Sequence, residues 1–367
     1  MVPVDRRMLF TDRRRALLGV LGVAVALVMA LALEGIFAGS TGQVSRYVET
    51  SPADVFVSQQ GVRTIHMSIS VLSADTADRV GELPGVEWVE PILFASDAVA
   101  GPEGRRATYV FGYQPGGLGG PRTIIEGGEP GPGELVADDS AATALGITVG
   151  DEVEILGRPW RVSGLTTGMT SIVNTTVYVR FDDLTQVLGR GDSVSYLLVG
   201  TAGDSQAVAE QIEAAVPGVE AQTRPLFSAE ERSLVREMST DLMNIMSVAA
   251  LIVATAVIGL VLYATILARL RDIGIMKALG LTPRAMTRLV LTQAGWTVAT
   301  ALLLAVAITY ALGSVVTAVA PDIDLVVEPA SLARAGIAAA VVGAIGAIAP
   351  LRRVLKIDPA TVFRRPT

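Results

Sequence analysis

One histidine, His66, and no cysteine occur among 367 residues. That composition removes a thiolate nucleophile, a Cys-ligated zinc or iron–sulfur centre, a His pair for zinc and any structural disulfide. Serines such as Ser40 and Ser58 have only His66 as a conceivable base, and no GxSxG elbow exposes one of them. His66 therefore reads as an ordinary strand or loop residue. The acidic pairs Asp138-Asp139 and Asp182-Asp183 read as solvated turns. The two lysines, Lys277 and Lys356, do not follow glycine, so no GxxxxGK[ST] loop is present to cradle nucleotide phosphates. No catalytic, cofactor-binding or metal-ligating residue is assigned, and the chain is not expected to be an enzyme.

The elements that hold the remaining polar residues are mostly apolar. Hydrophobic residues make up 51% and charged residues 18%, with a mean hydropathy of +0.51; soluble domains carry roughly 25% charged residues. A bilayer core takes about 20 apolar residues of helix, and four segments supply them: 16–38, 242–267, 289–312 and 334–351. The apolar run of the first segment is longer than the roughly 7–15 residues of a signal-peptide core, so it reads as an uncleaved anchor. The net charge of −7 disfavours nucleic acid as a partner.

Charge distribution sets the expected topology. The N-terminus 1–15, the loop 268–288 and the tail 352–367 together hold 15 of the 29 basic residues and only four acids. The loop 313–333 has three acids and, before Arg334, no basic residue. Four spans put the three basic segments on one side, and the positive-inside rule makes that side cytoplasmic. Split this way, the chain is +11 on its inner segments and −18 elsewhere.

The segment 39–241 then forms a large extracytoplasmic α/β domain. Strand, helix, Pro-Gly-Val-Glu and strand follow one another at 53–87 and again at 194–220. This is the pattern of a split β-α-β lobe, expected over about 43–115 and 190–227. An inserted β-rich lobe is expected over about 116–189, with the Gly- and Pro-rich run 116–133 as its connector. Ser73 is expected to cap a helix over 73–83. Ser228 and Glu231 have capping-box spacing and predict a stalk helix over 228–241 that runs into the second span.

Within the spans, Gly22, Ala26, Ala30 and Glu34 share one face of the first helix. Gly336, Ala340 and Ala344 share one face of the fourth, where Gly343 and Ala347 make a second small face. Small stripes permit close helix packing. Gln293, Thr297 and Thr300 line one face of the third span, either as interhelical hydrogen-bonding groups or as the lining of a cargo path or switching interface. On the basic side, Thr282 and Pro283 are N-cap and N1 of the third span, and Gly280 ends a short amphipathic helix bearing Ile273, Ile275, Met276 and Leu279. Such a helix either lies on the membrane surface or docks into a cytoplasmic partner.

Here the chain resembles a known family. The sequence RLRDIGIMKALGLTPR at 269–284 is similar to the loop between the second and third spans of FtsX-like permeases, the group with MacB- and LolC-type ABC transporter subunits. The resemblance extends to 12–27, 133–165 and 349–365, and 53–67 is similar to the DevC-type branch. The family often has Glu where Asp272 stands.

The resemblance implies a dimerising membrane half, paired with a second copy or a paralogue, on a cytoplasmic ABC ATPase that carries ATP and Mg. The ATPase-coupling element maps onto Arg271, Asp272, Ile273, Gly274, Ile275, Met276, Lys277, Ala278, Leu279 and Gly280. No cofactor would bind this chain directly. The location implied is the cell (inner or plasma) membrane, multi-pass, with both termini cytoplasmic and membrane lipids as neighbours. An adaptor or other extracytoplasmic partner fits the same reading.

The expected function is a permease that couples ATP hydrolysis to motion of the outer domain, exporting or extracting a lipid, glycolipid or peptide. The alternative is a non-transporting regulatory subunit that controls an outer partner such as a cell-wall hydrolase.

Overall fold

The computed structural model describes residues 13–66, 68–169, 174–268, 275, 282–320 and 323–355. The chain divides into two compact units, Ser40–Met238 with Pro321–Ile323, and Met1–Gly39 with Ser239–Ala320 and Asp324–Thr367.

In chain order the elements are α1 (Arg13–Val44), α2 (Arg46–Thr50), β1 (Val55–Gln59), β2 (Leu72–Ser73), α3 (Asp75–Gly81), β3 (Val86–Gly101) and β4 (Gly104–Tyr113). There follow β5 (Ile124–Gly127), β6 (Glu134–Asp138), α4 (Asp139–Leu145), β7 (Glu152–Ile155), β8 (Arg158–Thr166), β9 (Thr175–Arg180) and α5 (Phe181–Leu188). The chain continues with β10 (Ser193–Val194), β11 (Tyr196–Thr201), α6 (Ser205–Ala215), β12 (Val219–Thr223), α7 (Arg224–Ala268), α8 (Pro283–Val319), α9 (Pro329–Gly346) and α10 (Ile348–Leu355).

The first unit is built on one large sheet in the order β12-β1-β11-β3-β4-β9-β6-β8-β5, with β7 against β3 and β8. Its first four strands are antiparallel throughout, and α3 and α6 connect them in β-α-β-β-α-β order. The two Pro-Gly-Val-Glu turns occupy equivalent places between helix and strand. Gly85 and Gly218 both adopt φ +86°, a conformation that side chains disfavour. The central strands have no solvent face. Val55, Val57, Leu197 and Val199 point into a core with Val80 and Ile212 of the two helices. Phe56, Tyr196 and Leu198 point the other way, into an aromatic core closed by Tyr47, Val48 and Phe227.

The second part of the sheet begins earlier than the expected boundary near 116. No glycine breaks the chain between Val86 and Ala100, so β3 is a single 16-residue strand that changes partner midway. Val86–Ile92 pair with β11, and Leu93–Gly101 pair with β4. The latter half of β3 and all of β4 therefore belong with β6, β8 and β9 around the core of Leu135, Trp160, Val162 and Val177.

Two expected helix starts are corrected. Ser73 lies in β2, paired with Ser193, and α3 opens after Ala74 without a side-chain cap. The helix expected from Ser228 starts at Arg224, directly after β12, with Pro225 in its first turn. Ser228 and Glu231 are thus interior residues and form no capping box. By contrast, Asp138 caps α4 by accepting the Ser140 N–H at 3.1 Å, and Gly146 ends that helix at φ +66°.

Among the described residues three helices are long and apolar enough to cross a membrane: Leu17–Val44 within α1, then α8 and α9. The segment 242–267 forms the latter part of α7, a single helix of 45 residues. α8 extends past the expected 289–312 at both ends. Thr282 caps it, accepting the Ala285 N–H at 3.3 Å, and the apolar run carries it to Val319. α9 runs from Pro329 to Gly346. Val23, Leu27 and Leu31 of α1, Val290, Val298 and Ala301 of α8, and Val342 of α9 share one core.

Candidate functional site

Of the coupling residues expected at 271–280, Ile275 is described; it is helical, with 38% of its surface exposed. Arg271, Asp272, Ile273, Gly274, Met276, Lys277, Ala278, Leu279 and Gly280 lie outside the described residues.

The small-residue faces are only partly buried. On α1, Ala26 is buried, Gly22 and Ala30 are half-buried, and the Glu34 carboxylate meets the Arg334 guanidinium at 2.7 Å. A Cβ at Gly22 would lie 2.9 Å from Val257, one at Gly19 2.4 Å from Val261, and one at Gly39 would strike the Asp324 backbone. On α9 the two expected small faces differ in burial within this chain. Ala340 and Ala344 are exposed in the chain and Gly336 is half-buried, while Ala339, Val342, Gly343, Gly346 and Ala347 are buried. A Cβ at Gly343 would stand 2.9 Å from Val298 of α8, so that glycine makes the close contact. On α8 the Thr297 hydroxyl donates to the Gln293 carbonyl at 3.0 Å, and that of Thr300 to the Trp296 carbonyl at 2.7 Å. These hydroxyls satisfy their own helix.

Within the first unit, α2 and the start of α7 make a set of specific interactions with the sheet and with each other. α2 and the first two turns of α7 both build the aromatic core. The Tyr47 ring stacks on Phe111 at 4.1 Å between centroids, and its hydroxyl donates to the Gly119 carbonyl at 3.1 Å. Phe227 stacks on Phe56 at 5.0 Å. Such contacts add to area burial because ring quadrupoles favour offset and edge arrangements.

Arginines tie the ends together. Arg122 Nε donates to the Thr50 carbonyl at 2.8 Å, and Arg224 donates to the Ser51 carbonyl at 3.0 Å. Both satisfy carbonyls at the C-terminal end of α2, where cations are favoured. Arg232 of α7 pairs with Glu49 of α2, and Arg46 donates to the Gly168 carbonyl at 2.9 Å.

On the other side of α7, Glu231 is fully buried. It accepts the Ile65 N–H and faces His66 Nδ1 at 2.5 Å, so the one histidine is held by a helix residue 165 positions away. The same loop is pinned at Thr64 and Ser68, whose carbonyls accept the Tyr196 hydroxyl at 3.0 and 3.2 Å. Arg63 pairs with Glu220 at 2.6 Å, and this bond raises its pKa above the ordinary guanidinium value. Burial and then the Glu231 charge push the Tyr109 hydroxyl up to about 12, and the same two causes raise Tyr196.

Among the described residues of this joint no nucleophile and base stand in register. The Ser58 hydroxyl donates to the Val62 carbonyl at 2.5 Å, and His66 Nδ1 is committed to Glu231. Sequence reasoning missed Tyr47, Arg224 and Arg232, and gave Glu231 the wrong partner. One signal was available. Tyr109, Phe111 and Tyr113 alternate along β4, placing three aromatic rings on one sheet face.

Comparison with known proteins gives two family matches. Residues 16–215, more than half of the chain, match the MacB-like periplasmic core domain, and residues 244–359 match the FtsX-like permease C-terminal region. An uncharacterized ABC transporter permease of Mycobacterium tuberculosis H37Rv is 29% identical over 358 residues, covering 96% of this chain and 97% of that protein. One of Mycobacterium bovis is 25% identical over 360 residues, with the same coverages. Two solved structures are similar in part. The periplasmic region of MacB from Actinobacillus actinomycetemcomitans has a TM-score of 0.38 and 14% identity, covering 50% of this chain and 94% of that one. The extracellular domain of the noncanonic ABC-type transporter YknZ from Gram-positive bacteria has a TM-score of 0.36 and 15% identity, covering 46% and 99%.

Proposed function

Since this chain belongs to the FtsX-like permeases with a MacB-like periplasmic core domain, we propose that it converts the ATP cycle of a separate cytoplasmic ATPase into motion of its outer domain. In this reading 242–267 is a fourth span, and the basic segments 1–15, 268–288 and 352–367 face the cytoplasm. The outer domain has a split β-α-β lobe and a second, β-rich lobe. Two copies, or one copy and a paralogue, sit on two ATPases through Arg271–Gly280. The load is a lipid, glycolipid or peptide at the outer face.

The observation that supports this reading is the joint itself. α7 is one unbroken helix from Arg224 to Ala268, and Glu231, Arg232 and Phe227 fix its first turns to the same core that holds Tyr47 of α2. A helix resists axial compression, so a push on one end reaches the other with little loss. A freely jointed linker would dissipate it.

The test is capture of the ATPase by the full-length chain in detergent. Asp272→Lys, Lys277→Glu and Ile275→Asp are expected each to abolish co-purification while the chain still inserts. An unchanged complex in all three variants would remove the coupling element from this position.

A further inference from the structure

The connection between α8 and α9 contains an extended strap, Asp324–Glu328, that lies on α1 within the second unit. The Val326 N–H donates to the Gly35 carbonyl at 3.0 Å, a backbone bond between strap and helix. Such an approach needs missing side chains. A Cβ at Gly39 would lie 1.9 Å from the Asp324 carbonyl oxygen and 2.7 Å from its carbon, so backbone would have to move. At Gly35 it would stand 3.0 Å from Leu325 Cδ2 and 3.2 Å from the Val326 oxygen. Within the first two turns of α9, Arg334 reaches Glu34 of α1 at 2.7 Å and donates to the Ser331 hydroxyl at 3.0 Å.

We propose that this strap is a clamp: with the Glu34–Arg334 pair it locks the C-terminal part of α1 to the start of α9, so that the two helices move as one body. Two kinds of contact hold the same pair of helices: a backbone hydrogen bond with close backbone approach at Gly35 and Gly39, and a partly exposed ion pair, which by itself contributes little. The clamp deepens the transmission reading and rests on it for its purpose. If α1 is fixed to α9, displacement within the membrane half is taken up between this body and α7.

Engineered cysteines test the clamp directly, because the natural chain has none to interfere. Met29 and Ile337 are 60% and 67% exposed and accept spin labels as Met29→Cys and Ile337→Cys. In the full chain in lipid nanodiscs without any ATPase, the label pair is expected to give one narrow distance population. Gly39→Leu should broaden it, whereas Gly42→Leu in the same helix should not, because a Cβ at Gly42 meets open space. Glu34→Arg alone should also broaden it, and Glu34→Arg with Arg334→Glu should restore the narrow population.

A broad population in the unsubstituted pair, or equal behaviour of the two leucine variants, overturns the clamp. If Gly39→Leu fails to fold, the charge exchange decides, and absence of restoration overturns the proposal. These distances do not involve the ATPase, so failure of the clamp and failure of the coupling assignment appear in separate measurements.

Discussion

Glu231 is a fully buried carboxylate whose described partners, Ile65 and His66, come from one loop. Glu231→Ala would leave a backbone donor and an imidazole without their acceptor, at a cost of about 1–3 kcal/mol. A lowered melting temperature of the full chain, followed by near-UV dichroism, would register it; an unchanged melt would mean that water replaces the carboxylate. The tyrosines around it give a second prediction. An unfolded tyrosine ionises near pH 10, while burial holds Tyr109 up to about 12 and raises Tyr47, Tyr113, Tyr178 and Tyr196 as well. Above about pH 10 the folded chain therefore keeps protons that the unfolded chain has lost, and stability falls as pH rises. Melting temperature should drop steadily from about pH 10 upward, less steeply in Tyr109→Phe. A flat profile would show that these phenols ionise without unfolding. The sequence could not assign Glu231 its partner, because Ser-x-x-Glu fits a helix start equally well. What decided the matter was the end of β12, which brings the helix start four residues earlier.

Continuity is the property that matters at the level of elements. α7 has no proline after Pro225 and no glycine before Gly259, which made a long helix legible from the sequence. Proline at exposed Glu237 would remove a hydrogen bond and clash with the preceding turn, costing about 3 kcal/mol or more. Glu237→Pro is expected to leave the outer fold and ATPase capture intact while abolishing cargo-dependent stimulation of the ATPase; Glu237→Ala should behave as wild type. Retained stimulation in the proline variant would show that force does not travel through α7. The stripes on α9 mark the opposite case. Gly336, Ala340 and Ala344 share a face, and so do Gly343 and Ala347, so periodicity offers two equal candidates. Only the position of Val298 on α8 selects Gly343 as the close contact.

For the whole molecule, the uneven placement of basic residues gives a topology that can be checked with single cysteines. Gly191→Cys, in a site with open space, should react with a membrane-impermeant maleimide in intact spheroplasts, and Thr367→Cys only after permeabilisation. Labelling of both from the same side would contradict the orientation. By itself the sequence determined the apolar segments, the charge asymmetry, the absence of a phosphate loop and the turn residues Gly85, Gly146 and Gly218. These are local properties, fixed by side-chain chemistry and backbone sterics within a few residues. The tertiary structure alone decided that β3 serves two parts of one sheet, that Tyr47 and Phe227 close the same core, and that His66 answers to Glu231. Each of those joins residues far apart in the chain, and pairing over such distances depends on which surfaces packing brings together, information that no short stretch of sequence contains.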